Sequence, residues 1–105
     1  MTVDVFRFSF PPDIRLEDAA LNLQLASFAA EGLLGMVRVR IDFDFFVDVP
    51  HRAILVDGTT EVGATIVQAF MGLLIRDIGK HSFHVEPIPK QQHRRLDAAN
   101  APDWS

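Results

Sequence analysis

The chain has 105 residues and no cysteine, and its fourteen acidic and ten basic residues give a formal net charge of −4. This length is typical of one domain that buries a core without a disulfide or a metal. The absence of cysteine excludes thiolate metal sites, cysteine nucleophiles and disulfide chemistry. The acidic balance argues against a nucleic-acid partner. The longest apolar stretch, 62–75, is shorter than the ~20 residues of a spanning helix, which argues against a membrane partner.

The first half of the chain predicts a strand, a helix and a second strand. Val3–Phe10 alternates apolar and polar side chains, and two prolines then end the strand. Leu16–Glu31 is rich in alanine and leucine, which favour helix, and a glycine follows. Val37–Val49 carries an apolar residue at every second position, which a helical period near 3.6 does not place on one side. We therefore predict one long strand over Val37–Val49.

The second half repeats the strand and helix pattern. A hairpin turn at Val49–Arg52 leads into a short predicted strand, Ala53–Val56. A threonine then caps a second helix that runs to Ile78, where Gly79 ends it. Ser82–Ile88 is the last predicted strand. These elements form a single predicted α+β domain over residues 1–89.

The element order is β-α-β-β-α-β, which is the order of the ferredoxin-like plait. In that fold two helices cover one face of a four-stranded antiparallel sheet, and we expect the first and third strands at its centre. Ten side chains are expected in the core: Phe8, Val39, Ile41, Phe43, Ile54, Val56, Ile66, Phe70, Phe83 and Val85.

Residues 90–105 are polar and lack periodicity, so we predict a disordered C-terminal tail. The tail carries a basic cluster around Arg94 and a single tryptophan, Trp104. One interpretation is that the whole segment is a solubilising disordered end. The alternative is that Trp104 docks on a partner as an anchor.

Two acidic residues and a histidine are the candidates for catalysis. On a long second strand, Asp42 and Asp44 would lie about 7 Å apart on one face. His84 shares a strand face with Glu86, and histidine shuttles protons near neutral pH. A metal-dependent hydrolase or nuclease could use these groups, although Arg38 and Arg40 would neutralise the carboxylates. No complete metal motif is present, so we expect no conventional active site, metal or cofactor.

The turn between the third strand and the second helix is the candidate ligand site. Backbone N–H groups at a helix N-terminus bind anions. The turn is Asp57–Glu61, and its candidate ligand-binding residues are Asp57, Gly58, Thr59 and Thr60. They lack the lysine and the full glycine pattern of a phosphate loop. A helix cap is the alternative interpretation of the same turn. A small-ligand or anion-binding module at this turn or on the sheet face is therefore a second candidate function.

Protein–protein contact is the function that the sequence favours. The second helix is apolar on more than one side, and surplus apolar surface marks interaction sites. The predicted long strand also leaves an uncovered edge near Val37. We therefore expect a small non-catalytic, cytoplasmic subunit or adaptor that forms a homo-oligomer or binds another protein. Its expected interface residues are Val37, Val39, Phe70, Met71 and Leu74.

Overall fold

The computed structural model describes residues 4–89 as an α+β fold with a four-stranded antiparallel sheet and three helices. The strands are β1 (Asp4–Ser9), β2 (Phe45–Asp48), β3 (Ala53–Asp57) and β4 (His84–Pro89). The helices are α1 (Leu16–Leu34), α2 (Met36–Asp42) and α3 (Glu61–Ile78). The sheet order is β2-β3-β1-β4, which confirms that the first and third strands are central. The tail predicted over 90–105 lies outside the described residues.

The prediction of one strand over Val37–Val49 is wrong, because its first part forms α2 and only Phe45–Asp48 is a strand. β3 pairs with those four residues, and its last residue, Asp57, donates to the Asp44 carbonyl, so the strand offers no partner upstream of Asp44. An unpaired strand would leave its N–H and C=O groups without bonds, whereas a helix satisfies them internally. Gly35 separates α1 from α2 at φ 95°, a conformation that residues with a Cβ rarely adopt.

The turn between β2 and β3 also fixes the segment that joins β1 to α1. The amide of Arg52 donates to the Val49 carbonyl at 3.1 Å, which closes the predicted hairpin turn. The Arg52 guanidinium donates to the carbonyls of Pro11, at 3.0 Å, and of Ile14. A buried carbonyl without a donor is costly, so this side chain stabilises the segment that precedes α1.

Helices α1 and α3 pack on one face of the sheet and enclose the main core. Phe8 of β1 and Phe70 of α3 are fully buried, with ring centroids 4.6 Å apart. Six of the ten expected core side chains are buried: Phe8, Val39, Ile54, Val56, Ile66 and Phe70. Three others pack against the core while partly buried: Phe43, Phe83 and Val85. Ile41 is 75% exposed because α2 presents only Val39 to the core, so the prediction for Ile41 is wrong.

A polar contact fixes the two long helices against each other. Asn22 is the buried polar residue of α1, and its Nδ2 donates to Asp77 Oδ2 of α3 at 2.9 Å. The same amide nitrogen donates to the Asp18 carbonyl at 3.2 Å. Because this amide has acceptors from both helices, its burial favours one alignment of α1 on α3.

The contrast between Phe70 and Ile41 provides a test of the fold. Phe70→Ala should lower the free energy of unfolding by about 3–5 kcal/mol, because it removes a fully buried ring. Ile41→Ala removes an exposed side chain and should change that free energy by no more than about 0.5 kcal/mol. Urea denaturation measures both values. A loss above about 2 kcal/mol at Ile41 would instead indicate a buried strand at this position.

Candidate functional site

The structure does not bring the candidate catalytic side chains together. Asp42 is the last residue of α2, and Asp44 lies between α2 and β2, so the two carboxylates are not paired on one strand face. The Asp44 carbonyl accepts from the Asp57 amide, which places Asp44 beside the C-terminal end of β3. His84 lies on β4, the other edge strand of the sheet, where it pairs with Ser9 at the opposite end of the strands. Among residues 4–89, no group of three or more acidic or histidine residues could hold a metal ion.

A thermal-shift measurement tests this separation. Saturating Mg²⁺, Mn²⁺ or Zn²⁺ should leave the melting temperature unchanged, because an ion that binds the folded state would raise it by mass action. Asp42→Asn and Asp44→Asn serve as controls for the two carboxylates. A rise that both variants abolish would restore the metal-site hypothesis.

The candidate anion site is occupied by the side chains of its own turn. Oδ1 of Asp57 accepts from the Thr59 amide at 2.8 Å and from the Thr59 hydroxyl. Oγ1 of Thr60 accepts from the Gly63 amide at 2.9 Å and donates to the Asp42 carbonyl at 3.1 Å. The Asp57 carboxylate therefore accepts from a backbone N–H group that a bound anion would need. This arrangement is a helix N-cap that ties α3 to the end of α2.

The turn depends on a close approach of backbone to backbone. A Cβ added to Gly63 would lie 1.9 Å from the carbonyl oxygen of Asp57, so no side chain fits there. Gly72 lies in the same helix, is exposed, and has no atom within 4 Å of such a Cβ. The fold therefore requires glycine at position 63, whereas position 72 has room for a side chain.

Alanine at these two positions should have opposite effects on stability. Gly63→Ala should destabilise the protein strongly, because β3 and the start of α3 would have to separate. Gly72→Ala should raise the free energy of unfolding by about 0.5–1 kcal/mol, since alanine is the better helix former and meets no neighbour. Thermal and urea denaturation report both changes. Equal effects at the two positions would contradict the close approach.

Most of the predicted interface residues lie inside the chain. Phe70 and Leu74 are fully buried, and Val39 is 2% exposed, so these three side chains do not face a partner in this conformation. Met71 is partly buried against the core. Only Val37 is exposed. The apolar second side of α3 is explained by α1, which packs along it.

Helix α1 carries exposed apolar side chains that the core does not bury. Leu21, Leu25 and Phe28 follow one another at helical spacing and are 56%, 49% and 53% exposed. They lie on the side of α1 opposite to its buried residues, among them Leu23 and Ala26. The outer helix of a sheet layer normally presents polar side chains at such positions. We call Leu21, Leu25 and Phe28 the α1 stripe.

Two further features border the α1 stripe. A groove between α1 and α3 contains Leu21, Leu25 and Leu73, and charged residues of both signs rim it: Asp18, Arg76 and Asp77. At the C-terminal end of α1 and on α2, four further apolar side chains are 54–76% exposed: Leu33, Met36, Val37 and Ile41. The largest exposed apolar side chains of the described residues therefore concentrate on α1 and α2.

A cavity of about 570 Å³ lies between α1, α2 and β2. Leu23, Val39, Phe43 and Phe45 form its apolar part, and the two phenylalanine rings stack with centroids 5.3 Å apart. Polar and charged side chains complete the lining: Gln24, Ser27, Glu31 and Arg40. The cavity is formed by the departure of α2 from the sheet, and the sequence did not indicate it.

Comparison with known proteins identifies no relative: the chain matches no protein-family model, and no curated protein or solved structure is significantly similar to it. Within residues 4–89, none of the helices is long and apolar enough to cross a membrane.

Proposed function

We propose that this chain is a small non-catalytic subunit or adaptor domain that self-associates and acts through protein–protein contacts. The observation that carries the proposal is the α1 stripe, in which Leu21, Leu25 and Phe28 are each about half exposed. Burial of apolar surface is the main favourable term in most protein association. Three large side chains on one outer helix face supply such a surface without disturbing the intrachain core.

A second copy of the chain suits this surface because its charges are self-complementary. Asp18 and Arg76 lie on the rim of the same groove, beside Leu21 and Leu25. In a two-fold dimer each contact occurs twice, so a contact between Asp18 of one copy and Arg76 of the other would form two ion pairs. Rim charges of this kind fix the register of an interface more than they strengthen it.

The two edge strands of the sheet are less suited to self-association than the α1 stripe is. β4 carries Pro87 and Pro89, which have no N–H to donate to another strand. β2 has only four residues and so presents a short edge. The uncovered strand edge expected near Val37 does not exist, because that residue belongs to α2.

We also propose that the sheet with α1 and α3 is a variant of the ferredoxin-like plait in which α2 replaces half of the second strand. The central position of β1 and β3 and the packing of both long helices against one face support this assignment. A cytoplasmic location is part of the same proposal, and the absence of cysteine supports it.

Self-association should depend on the α1 stripe. We expect light scattering to show a mass that rises with concentration, and we expect Leu25→Glu combined with Phe28→Glu to abolish that rise. Like charges brought together at an interface cost several kcal/mol. At ~1.4 kcal/mol per tenfold change, the dissociation constant should increase by at least about 100-fold.

Gln24→Glu is the matched control, because it adds a charge to an exposed position of α1 without removing an apolar side chain. This variant should associate as the original chain does. The proposal would be wrong if the original chain stayed monomeric at high concentration, or if the double variant associated with unchanged affinity.

A further inference from the structure

The cavity between α1, α2 and β2 combines an apolar lining with two opposite charges. Leu23 and Val39, each 2% exposed, belong to the hydrophobic core and also line the cavity. Phe45 lines it too and is 49% exposed, so half of a large apolar side chain remains in contact with water. The volume of about 570 Å³ falls within the ~300–1,000 Å³ of small-molecule sites, which are mostly apolar with a few polar groups.

The two opposite charges reach the cavity from different helices. Glu31 lies in the last turn of α1, and Arg40 lies in the last turn of α2. Gly35 joins the helices: its amide donates to the Glu31 carbonyl at 2.9 Å, and its carbonyl accepts from the Val39 amide at 3.2 Å. Because hydrogen bonds on both sides of Gly35 orient the two helices, the two charged residues have defined positions relative to each other.

The side chains of the described residues neutralise neither charge. The ion pairs within residues 4–89 include neither Glu31 nor Arg40, so these two do not pair with each other. Arg38, the other arginine of α2, pairs with Glu61 instead. Opposite charges that line one cavity without pairing suit a ligand that carries both a carboxylate and an ammonium group.

We propose that this cavity binds an α-amino acid with an aromatic side chain. The Arg40 guanidinium donates to the ligand's carboxylate, the ligand's ammonium donates to the Glu31 carboxylate, and the ligand's ring packs against Phe45. Phe43 and Phe45 already stack with centroids 5.3 Å apart, and a further ring covers the apolar surface that Phe45 exposes. Aromatic packing and apolar burial both favour such a contact.

Ligands with a single charge fit this cavity less well. A simple carboxylate would meet the Glu31 carboxylate, and a simple amine would meet Arg40; like charges brought together oppose binding. A neutral ring would displace water from both charges without replacing it. The cavity shares no lining residue with the groove between α1 and α3, so the proposal does not depend on self-association.

Titration of the full chain with L-phenylalanine, followed by methyl NMR in dilute protein, tests this proposal. The methyl resonances of Leu23 and Val39 should shift and saturate, because both residues line the cavity. The Leu55 methyls belong to a separate cluster of strand side chains and should not move. The analogues 3-phenylpropanoate, which has no ammonium, and 2-phenylethylamine, which has no carboxylate, should bind about fivefold more weakly or worse, because each lacks one ion pair.

Two variants assign the charges. Arg40→Gln should weaken L-phenylalanine about fivefold and leave 2-phenylethylamine no weaker, because that analogue has no carboxylate to lose its partner. Glu31→Gln should weaken L-phenylalanine to a similar degree and leave 3-phenylpropanoate no weaker. Arg38→Gln and Glu17→Gln remove the same charges from α2 and α1 outside the cavity. They are the matched controls and should leave the affinity for L-phenylalanine unchanged.

The absence of a saturable shift at Leu23 and Val39 up to the solubility limit of L-phenylalanine would overturn the proposal. Equal affinities for the three ligands would also overturn it, since neither charge would then contribute to recognition. Equal losses of affinity in Arg40→Gln and Arg38→Gln would have the same meaning, because the effect would then come from net charge and not from the cavity.

Discussion

The fold depends on the length of β3, because this strand supplies the hydrogen-bond partners of β2. β3 ends at Asp57, where the turn to α3 begins, so its pairing with Phe45–Asp48 ends at the bond from the Asp57 amide to the Asp44 carbonyl. The residues before β2 must satisfy their backbone groups in another way, and they form α2. Gly63 holds this end of the sheet in place, since the first turn of α3 lies against the Asp57 carbonyl.

This constraint has direct consequences for the surface. α2 leaves the sheet, so Asp42 and the arginines near it no longer share a strand face with His84. The same departure exposes Val37 and Ile41 and opens the cavity beside Phe43 and Phe45. Within residues 4–89, the exposed large apolar side chains concentrate on α1 and α2. This concentration is the surface on which the proposed self-association is based.

Local sequence patterns predicted much of the architecture. Alternation located β1 and β4, the hairpin turn located β3, and a threonine cap together with Gly79 located the ends of α3. Alternation failed at Val37–Asp42 because it describes side chains and does not show whether a neighbouring strand is available. The sequence did not show that Phe70 and Leu74, expected at an interface, are buried within the chain, because their burial depends on how α3 packs against β1 and α1. The spacing of Leu21, Leu25 and Phe28 was visible in the sequence, but spacing alone does not separate the inner face of a helix from its outer face.

Self-association through the α1 stripe is tested most directly by the solvent accessibility of single methyl groups, measured by NMR with a soluble paramagnetic agent. The Leu25 methyls should be accessible in dilute protein and become protected as the concentration rises. The Val49 methyls, in the turn between β2 and β3, are exposed far from α1 in the chain and should remain accessible throughout. Leu25 methyls that stay accessible at the highest concentration, or equal protection of Leu25 and Val49, would show that the α1 stripe is not an interface.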